Sequence, residues 1–312
     1  MFLKMIAALS LALATCGTAH AAASDIQVDR HGIVKGTLEL PATTGPVPVV
    51  LIIAGSGPTD RNGNAPGATS DSLRQLAEAL ATHGIASVRY DKRGIAASAA
   101  AATSEADLTL GQYADDAAAW LTLLKQDARF SKVVVVGHSE GALIGLLAVN
   151  QVGASGYVSL EGPGARASVV LRHQLAGKLP PALAQENERI LTALEQGKLA
   201  GAVPPALAAL YSPSVQPYLI SWFQYDPAAE LGKLKTPALV IQGSSDLQVT
   251  VDDARALERG RPGTPVVIID GMNHVLKMAQ GDIAAQMQSY TTTGLPVAPA
   301  LVTALAGFVN TQ

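Results

Sequence analysis

Apolar and polar positions along this chain switch between a period of two, unbroken apolar runs and a period near 3.6. Residues 26–40 alternate, with Val28, Ile33, Val34 and Leu38 among polar neighbours; this predicts an antiparallel pair at a sheet edge. Val47-Pro48-Val49-Val50-Leu51-Ile52-Ile53-Ala54 is apolar throughout, as in a strand covered on both faces. It ends in the loop signal Gly55-Ser56-Gly57-Pro58. Residues 70–83 set Leu73, Leu76, Ala77, Leu80 and Ala81 at helical spacing. The next strand is predicted at 85–90. A helix over 108–127 carries Leu110, Tyr113, Ala117, Trp120 and Leu124 on one face. Further strands are predicted at 132–137, 156–160, 237–242 and 265–269, and helices at 140–150, 250–258 and 297–311.

Strands alternating with helices predict an α/β protein, a mostly parallel central sheet flanked by helices. One interval breaks the rhythm. Residues 163–235 join two predicted strands through a stretch rich in Leu, Ala, Glu and Gln, with several prolines. An ordered connection of that length is usually functional, and here it predicts a helical cap over the C-terminal edge of the sheet, where open α/β sheets bind ligands. The expected plan is a core of residues 22–162 and 236–312 with a cap of residues 163–235.

The composition narrows the function. With 312 residues, 48% of them hydrophobic, the chain can bury a large core. A formal charge of −3, with no run of like charges, speaks against nucleic acid or an acidic membrane surface as partner. At 4% aromatic content there is little for base or sugar stacking. Lys4, the apolar stretch Met5 to Ala14 and Ala19-His20-Ala21 predict a secretory signal peptide over residues 1–21, hence a periplasmic or secreted protein with no stable membrane association after cleavage. Cys16, the only cysteine, lies in that segment, so the mature chain has no disulfide or thiolate. Leu13-Ala14-Thr15-Cys16 is a weak match to a lipoprotein cleavage box, Thr15 fitting poorly, and gives lipidation as the alternative. Nothing in the pattern fixes an oligomeric state.

The candidate chemistry centres on Gly137-His138-Ser139-Glu140-Gly141, between an apolar strand and an apolar helix. A G-x-S-x-G turn there is a nucleophile elbow, which lifts a serine hydroxyl above the sheet edge. A serine needs a base. Of the histidines beyond residue 21, His31 and His83 fall in turns, His138 precedes the serine and His173 lies in the predicted cap. His274 follows the last predicted strand in Asp270-Gly271-Met272-Asn273-His274. A carboxylate must hold the imidazole, and Asp246 in the turn after the strand at 237–242 supplies one. The order Ser139, Asp246, His274 is that of an α/β-hydrolase. The oxyanion donors are expected to be the backbone N–H groups of Glu140, after the nucleophile, and of Ser56, in the glycine loop after the strand at 47–54.

On these motifs, together with Gly55 to Asn64, Arg89-Tyr90-Asp91-Lys92-Arg93-Gly94, Gly243 to Val249 and Gly271 to His274, the chain resembles bacterial carboxylesterases in the serine-aminopeptidase-like branch of the α/β-hydrolase superfamily. The resemblance implies hydrolysis of small esters through an acyl-enzyme on Ser139, no cofactor and a helical cap. The chain departs from that pattern at Ala96, where a second glycine is common, and at Glu161, where a small residue is commoner. Glu161 is also the rival triad acid, because some lipases of the superfamily use that strand position. Asp60, Arg61, Asp91 and Arg93 are expected to hold one another in place. Two other functions stay open: an aminopeptidase or amidase with the same triad, and a non-catalytic binding protein on the same fold. Metal and nucleotide enzymes are not indicated, since the chain has no H-x-x-x-H pair, cysteine cluster, Walker loop or strand–G-x-G-x-x-G–helix unit.

Overall fold

The computed structural model describes residues 22–279 and 283–312; the predicted signal segment and Cys16 lie outside them. The alternating stretch forms an antiparallel hairpin, β1 (Ala22–Asp29) and β2 (Ile33–Leu40), registered from Ala22↔Leu40 to Asp29↔Ile33. On β2 the inward positions are Val34, Gly36 and Leu38, and Ile33 falls on the exposed face. The apolar run forms β3 (Val47–Ile53), followed by α1 (Ser72–Thr82), β4 (Ala86–Tyr90), α2 (Leu110–Gln126), β5 (Phe130–His138), α3 (Glu140–Val152) and β6 (Gly156–Leu160). Five helices then occupy the long insertion: α4 (Ala167–Leu175), α5 (Pro181–Glu195), α6 (Ala208–Tyr211), α7 (Gln216–Phe223) and α8 (Pro227–Lys233). The chain closes with β7 (Ala238–Gly243), α9 (Val251–Gly260), β8 (Val266–Ile269), α10 (Ile283–Ser289) and α11 (Pro299–Thr311).

The sheet order is β1-β2-β4-β3-β5-β6-β7-β8. The β1–β2 and β2–β4 pairs are antiparallel, and every pair from β4 to β8 is parallel. Side chains of a strand point alternately to opposite faces, so β3 feeds two cores. Val49, Leu51 and Ile53 pack with α2 and α3, while Val50 and Ile52 pack with α1 and α11. Burial on both faces is why β3 reads as an unbroken apolar run. α3 sits deep in one core and is buried from Glu140 to Val149.

From β3 the chain goes one way to β4, then back across β3 to β5. That reversal opens a crevice at the C-terminal strand ends, where the loop after β3 meets the elbow after β5. The insertion has its own apolar cluster, including Ile190, Leu191, Leu194, Tyr211 and Phe223. It is tied to the core where Ser221 Oγ accepts from Leu110 N at 2.9 Å and Asp253 Oδ1 accepts from Gly164 N at 3.0 Å. The sequence pattern does not predict α10. Ile283 and Met287 are exposed and only Ser289 is buried, so no apolar stripe marks it. Among the described residues no helix is long and apolar enough to cross a membrane.

Candidate active site

Ser139 stands at the junction of β5 and α3 with φ 55° and ψ −123°. A non-glycine residue there carries strain of about 1–3 kcal/mol. Its backbone is held by a bond from Ser139 N to Leu160 O and another from Ala142 N to Ser139 O, both 3.0 Å. The two elbow glycines permit the turn. A Cβ on Gly137 would collide with Gly141 O, and one on Gly141 with Ile53 O. The serine hydroxyl caps no helix N–H, so it is not the helix-start serine that its position at the head of α3 would otherwise suggest.

Asp246 lies in the turn after β7. Its Oδ1 accepts from Gln248 N at 2.7 Å and Val249 N at 3.0 Å, which orients the carboxylate as an Asx turn does. Its Oδ2 lies 2.7 Å from His274 Nδ1. A carboxylate only accepts, so Nδ1 carries a proton, which in the neutral ring leaves Nε2 as the acceptor. His274 comes from the loop after β8, which is tied to the loop after β7 through Ser245 N to Met272 O at 3.0 Å and Ser244 Oγ to Asp270 Oδ1 at 2.8 Å. His138 Nε2 donates to His274 O at 2.8 Å, and the two rings stack obliquely with centroids 4.9 Å apart. Burial, then the neighbouring His274, drive the His138 pKa down to about 3. His138 is therefore a neutral donor that fixes the His274 loop against the elbow.

Glu161, directly after β6, also reaches this cluster. It is fully buried, and one oxygen from each of Glu161 and Asp246 and one His274 nitrogen lie within 4.8 Å of one another. Glu161 Oε1 accepts from Gly243 N at 3.0 Å, and Oε2 accepts from Gln242 Nε2. Burial and then Asp246 push its pKa well above the carboxylate range. Burial also acts to raise Asp246, but the charge and hydrogen bond of His274, with Glu161 and the Val249 N–H, bring it down to about 2. The two shifts run apart, so Asp246 holds its charge more readily than Glu161, and its 2.7 Å contact makes it the acid facing the imidazole.

The loop Gly55–Pro58 lies over the elbow. A Cβ on Gly55 would stand 3.1 Å from Ser139 Cβ, so any larger residue there would press on the nucleophile. Ser56, Ser139 and Glu140 line one cavity of about 570 Å³. Its walls come from the loop after β4 (Ile95, Leu108) and from the insertion helices (Val170, Leu171, Leu219, Trp222). The charged loop residues are engaged elsewhere. Arg61 Nη2 is 2.8 Å from Asp91 Oδ2, Arg93 Nη2 is 2.7 Å from Asp116 Oδ1, and Asp60 Oδ1 accepts from Asn62 N and Asn64 N at 2.8 and 2.9 Å. His31, His83 and His173 are exposed.

The sequence pattern marks Glu140 only for its backbone N–H and gives Lys92 no separate role. Both are 2% exposed and form an ion pair of 2.9 Å beside the cavity. The visible signal was a lysine inside the Asp-Lys-Arg-Gly loop at the end of an apolar strand.

The chain resembles several known proteins. Esterase EstD of Thermotoga maritima is 28% identical over 251 residues, which cover 80% of this chain and 59% of that protein. The chain thus spans about three fifths of that relative's length. Among solved structures, Est1E from Butyrivibrio proteoclasticus with ferulic acid bound matches 92% of this chain and all of its own at 16% identity, with a TM-score of 0.59. The Pyrococcus furiosus esterase Pf2001 matches 82% of this chain and 84% of its own at 17% identity, with a TM-score of 0.54. The sequence model of the alpha/beta hydrolase family matches residues 49–284. That interval runs from β3 through the elbow and the Asp246 turn to the His274 loop, and with it this chain belongs to the alpha/beta hydrolase family.

Proposed function

We propose that the protein is a serine carboxylesterase acting on small esters through an acyl-enzyme. The carrying observations are the 2.7 Å Asp246–His274 bond and, at the head of α3, a strained, uncapped Ser139 that faces an apolar-walled cavity. In this reading His274 Nε2 takes the Ser139 proton as Oγ attacks the ester carbonyl. Asp246 stabilises the imidazolium, and the N–H groups of Ser56 and Glu140 hold the oxyanion. Collapse of the tetrahedral intermediate passes the proton to the leaving alcohol. His274 then activates water, which releases the acid and restores Ser139. EstD and Pf2001, both named esterases, support the ester reading.

The carboxylates lining the cavity favour an ester over a free amine. Glu140 is paired with Lys92, which already supplies its cation, and Glu105 accepts from Ser214 Oγ. In this proposal the insertion helices serve as the cap, closing the cavity from above. The wild type is expected to hydrolyse p-nitrophenyl acetate and butyrate, and Ser139→Ala to lose at least about 10³-fold in kcat. A folded Ser139→Ala enzyme at wild-type rate would refute the proposal. Lys4, the apolar stretch after it and Ala19-His20-Ala21 support export with cleavage near Ala21; an intact mass matching the uncleaved chain in the exported fraction would contradict that.

A further inference from the structure

Lys92 Nζ has three neighbours in three directions. It donates to Gly55 O at 2.5 Å and to Glu140 Oε1 at 2.9 Å, and it lies 5.3 Å from the centroid of the Tyr113 ring. An ammonium has three donors and no acceptor, so two strong acceptors and an aromatic face use its full capacity. The Tyr113 ring is itself held where its hydroxyl donates to Arg93 O at 3.2 Å. Lys92 and Glu140 are each 2% exposed. Burying both charges is costly, and such a pair often contributes less stability than an apolar pair of the same volume. Stability therefore does not explain why an ion pair occupies this place.

What the pair touches does. The Gly55 carbonyl and the Ser56 N–H are two ends of one planar trans peptide and point opposite ways. A carbonyl clamped by Lys92 therefore fixes the direction of the Ser56 amide. Glu140 is the first residue of α3, and a carboxylate clamped by the same Nζ restrains the residue that carries the second amide. Ser56 and Glu140 come from loops 84 positions apart in sequence, and Lys92 from a third loop between them. The strand order β4-β3-β5 sets those three loops side by side.

The geometry points to Lys92, through its ion pair with Glu140, as a positioning residue that braces the two oxyanion donors against each other. This rests on the esterase reading above, with Ser56 and Glu140 as donors. Lys92 does not touch the reacting atoms. It sets the spacing of two amides whose value lies in being preorganised before charge develops.

Two variants test it. Lys92→Met cuts the brace but leaves the buried Glu140 without its cation, so it carries a folding risk. Lys92→Met with Glu140→Met removes both charges at similar volume, and thermal unfolding is followed alongside. The expected result for the double variant is a folded enzyme whose kcat on p-nitrophenyl butyrate falls about 10–100-fold, less than the 10²–10³ for outright loss of a donor. KM stays within about threefold. The inhibition constant of an alkyl trifluoromethyl ketone, whose adduct with Ser139 is an oxyanion, rises in proportion to the loss in kcat. A double variant with wild-type kcat overturns the proposal. So does a kcat loss with unchanged affinity for the ketone, and so does failure of the double variant to fold, which would assign the pair to stability. Failure of the underlying reading looks different: a wild type that turns over no ester, or a Ser139→Ala enzyme that still does.

Discussion

Glu161 and Ala96, the two departures from the family pattern that the sequence resembles, each sit at a positive φ, 50° and 43°. Ala96 is exposed, and its backbone conformation is one that glycine adopts without strain. Glu161 is more consequential, because its carboxyl is buried beside a second one. Its folded pKa lies above the ordinary value of 4.5. A raised acid gives its full contribution to stability below the unfolded pKa and loses it as pH rises toward and through the folded value, since the unfolded chain releases a proton that the folded chain keeps. Glu161→Gln, neutral at every pH, removes that dependence. Wild-type stability should fall relative to this variant as pH climbs from about 4.5 into the neutral range. Urea unfolding of both proteins at several pH values reads the difference, and a gap that stays constant with pH contradicts the upward shift of Glu161.

At the scale of elements, the site depends on how closely α3 approaches β3. Gly141 lies against Ile53 O and Ala54 O with no room for a Cβ. Gly141→Ala must push α3, buried along most of its length, off the sheet, at a cost of about 3 kcal/mol or more. Chemical denaturation checks this, and a variant as stable as wild type would show that the elbow tolerates the displacement. The strands and helices that place the site were legible in the sequence for a plain reason. β3 and β5 are buried on both faces and read as apolar runs, and α1 and α2 bury one stripe each. The elbow, the Asp246 turn and the His274 loop were legible as well, because each follows such a run directly. Lys92 was not legible as a partner of Glu140, since the pair spans 48 positions and forms only through the reversal of strand order around β3. Ile33 shows a smaller failure of the same kind: alternation identifies a strand, but the packing of Val34 and Leu38 decides which face turns inward.

For the whole molecule, the account joins a parallel sheet, an insertion with its own apolar cluster and a cavity of about 570 Å³ between them. A cavity of that size has room for a small ester and more, and its apolar walls come from both the core loops and the insertion. All of this converges on one hydroxyl. A fluorophosphonate reacts preferentially with a serine that is activated by a base and faces an oxyanion hole, so it reports the central claim directly. After incubation of the folded protein, peptide mass spectrometry is expected to find a single phosphonyl adduct on Ser139, absent from Ser139→Ala. Folded wild-type protein that takes no label, or takes it on another residue, would contradict the account.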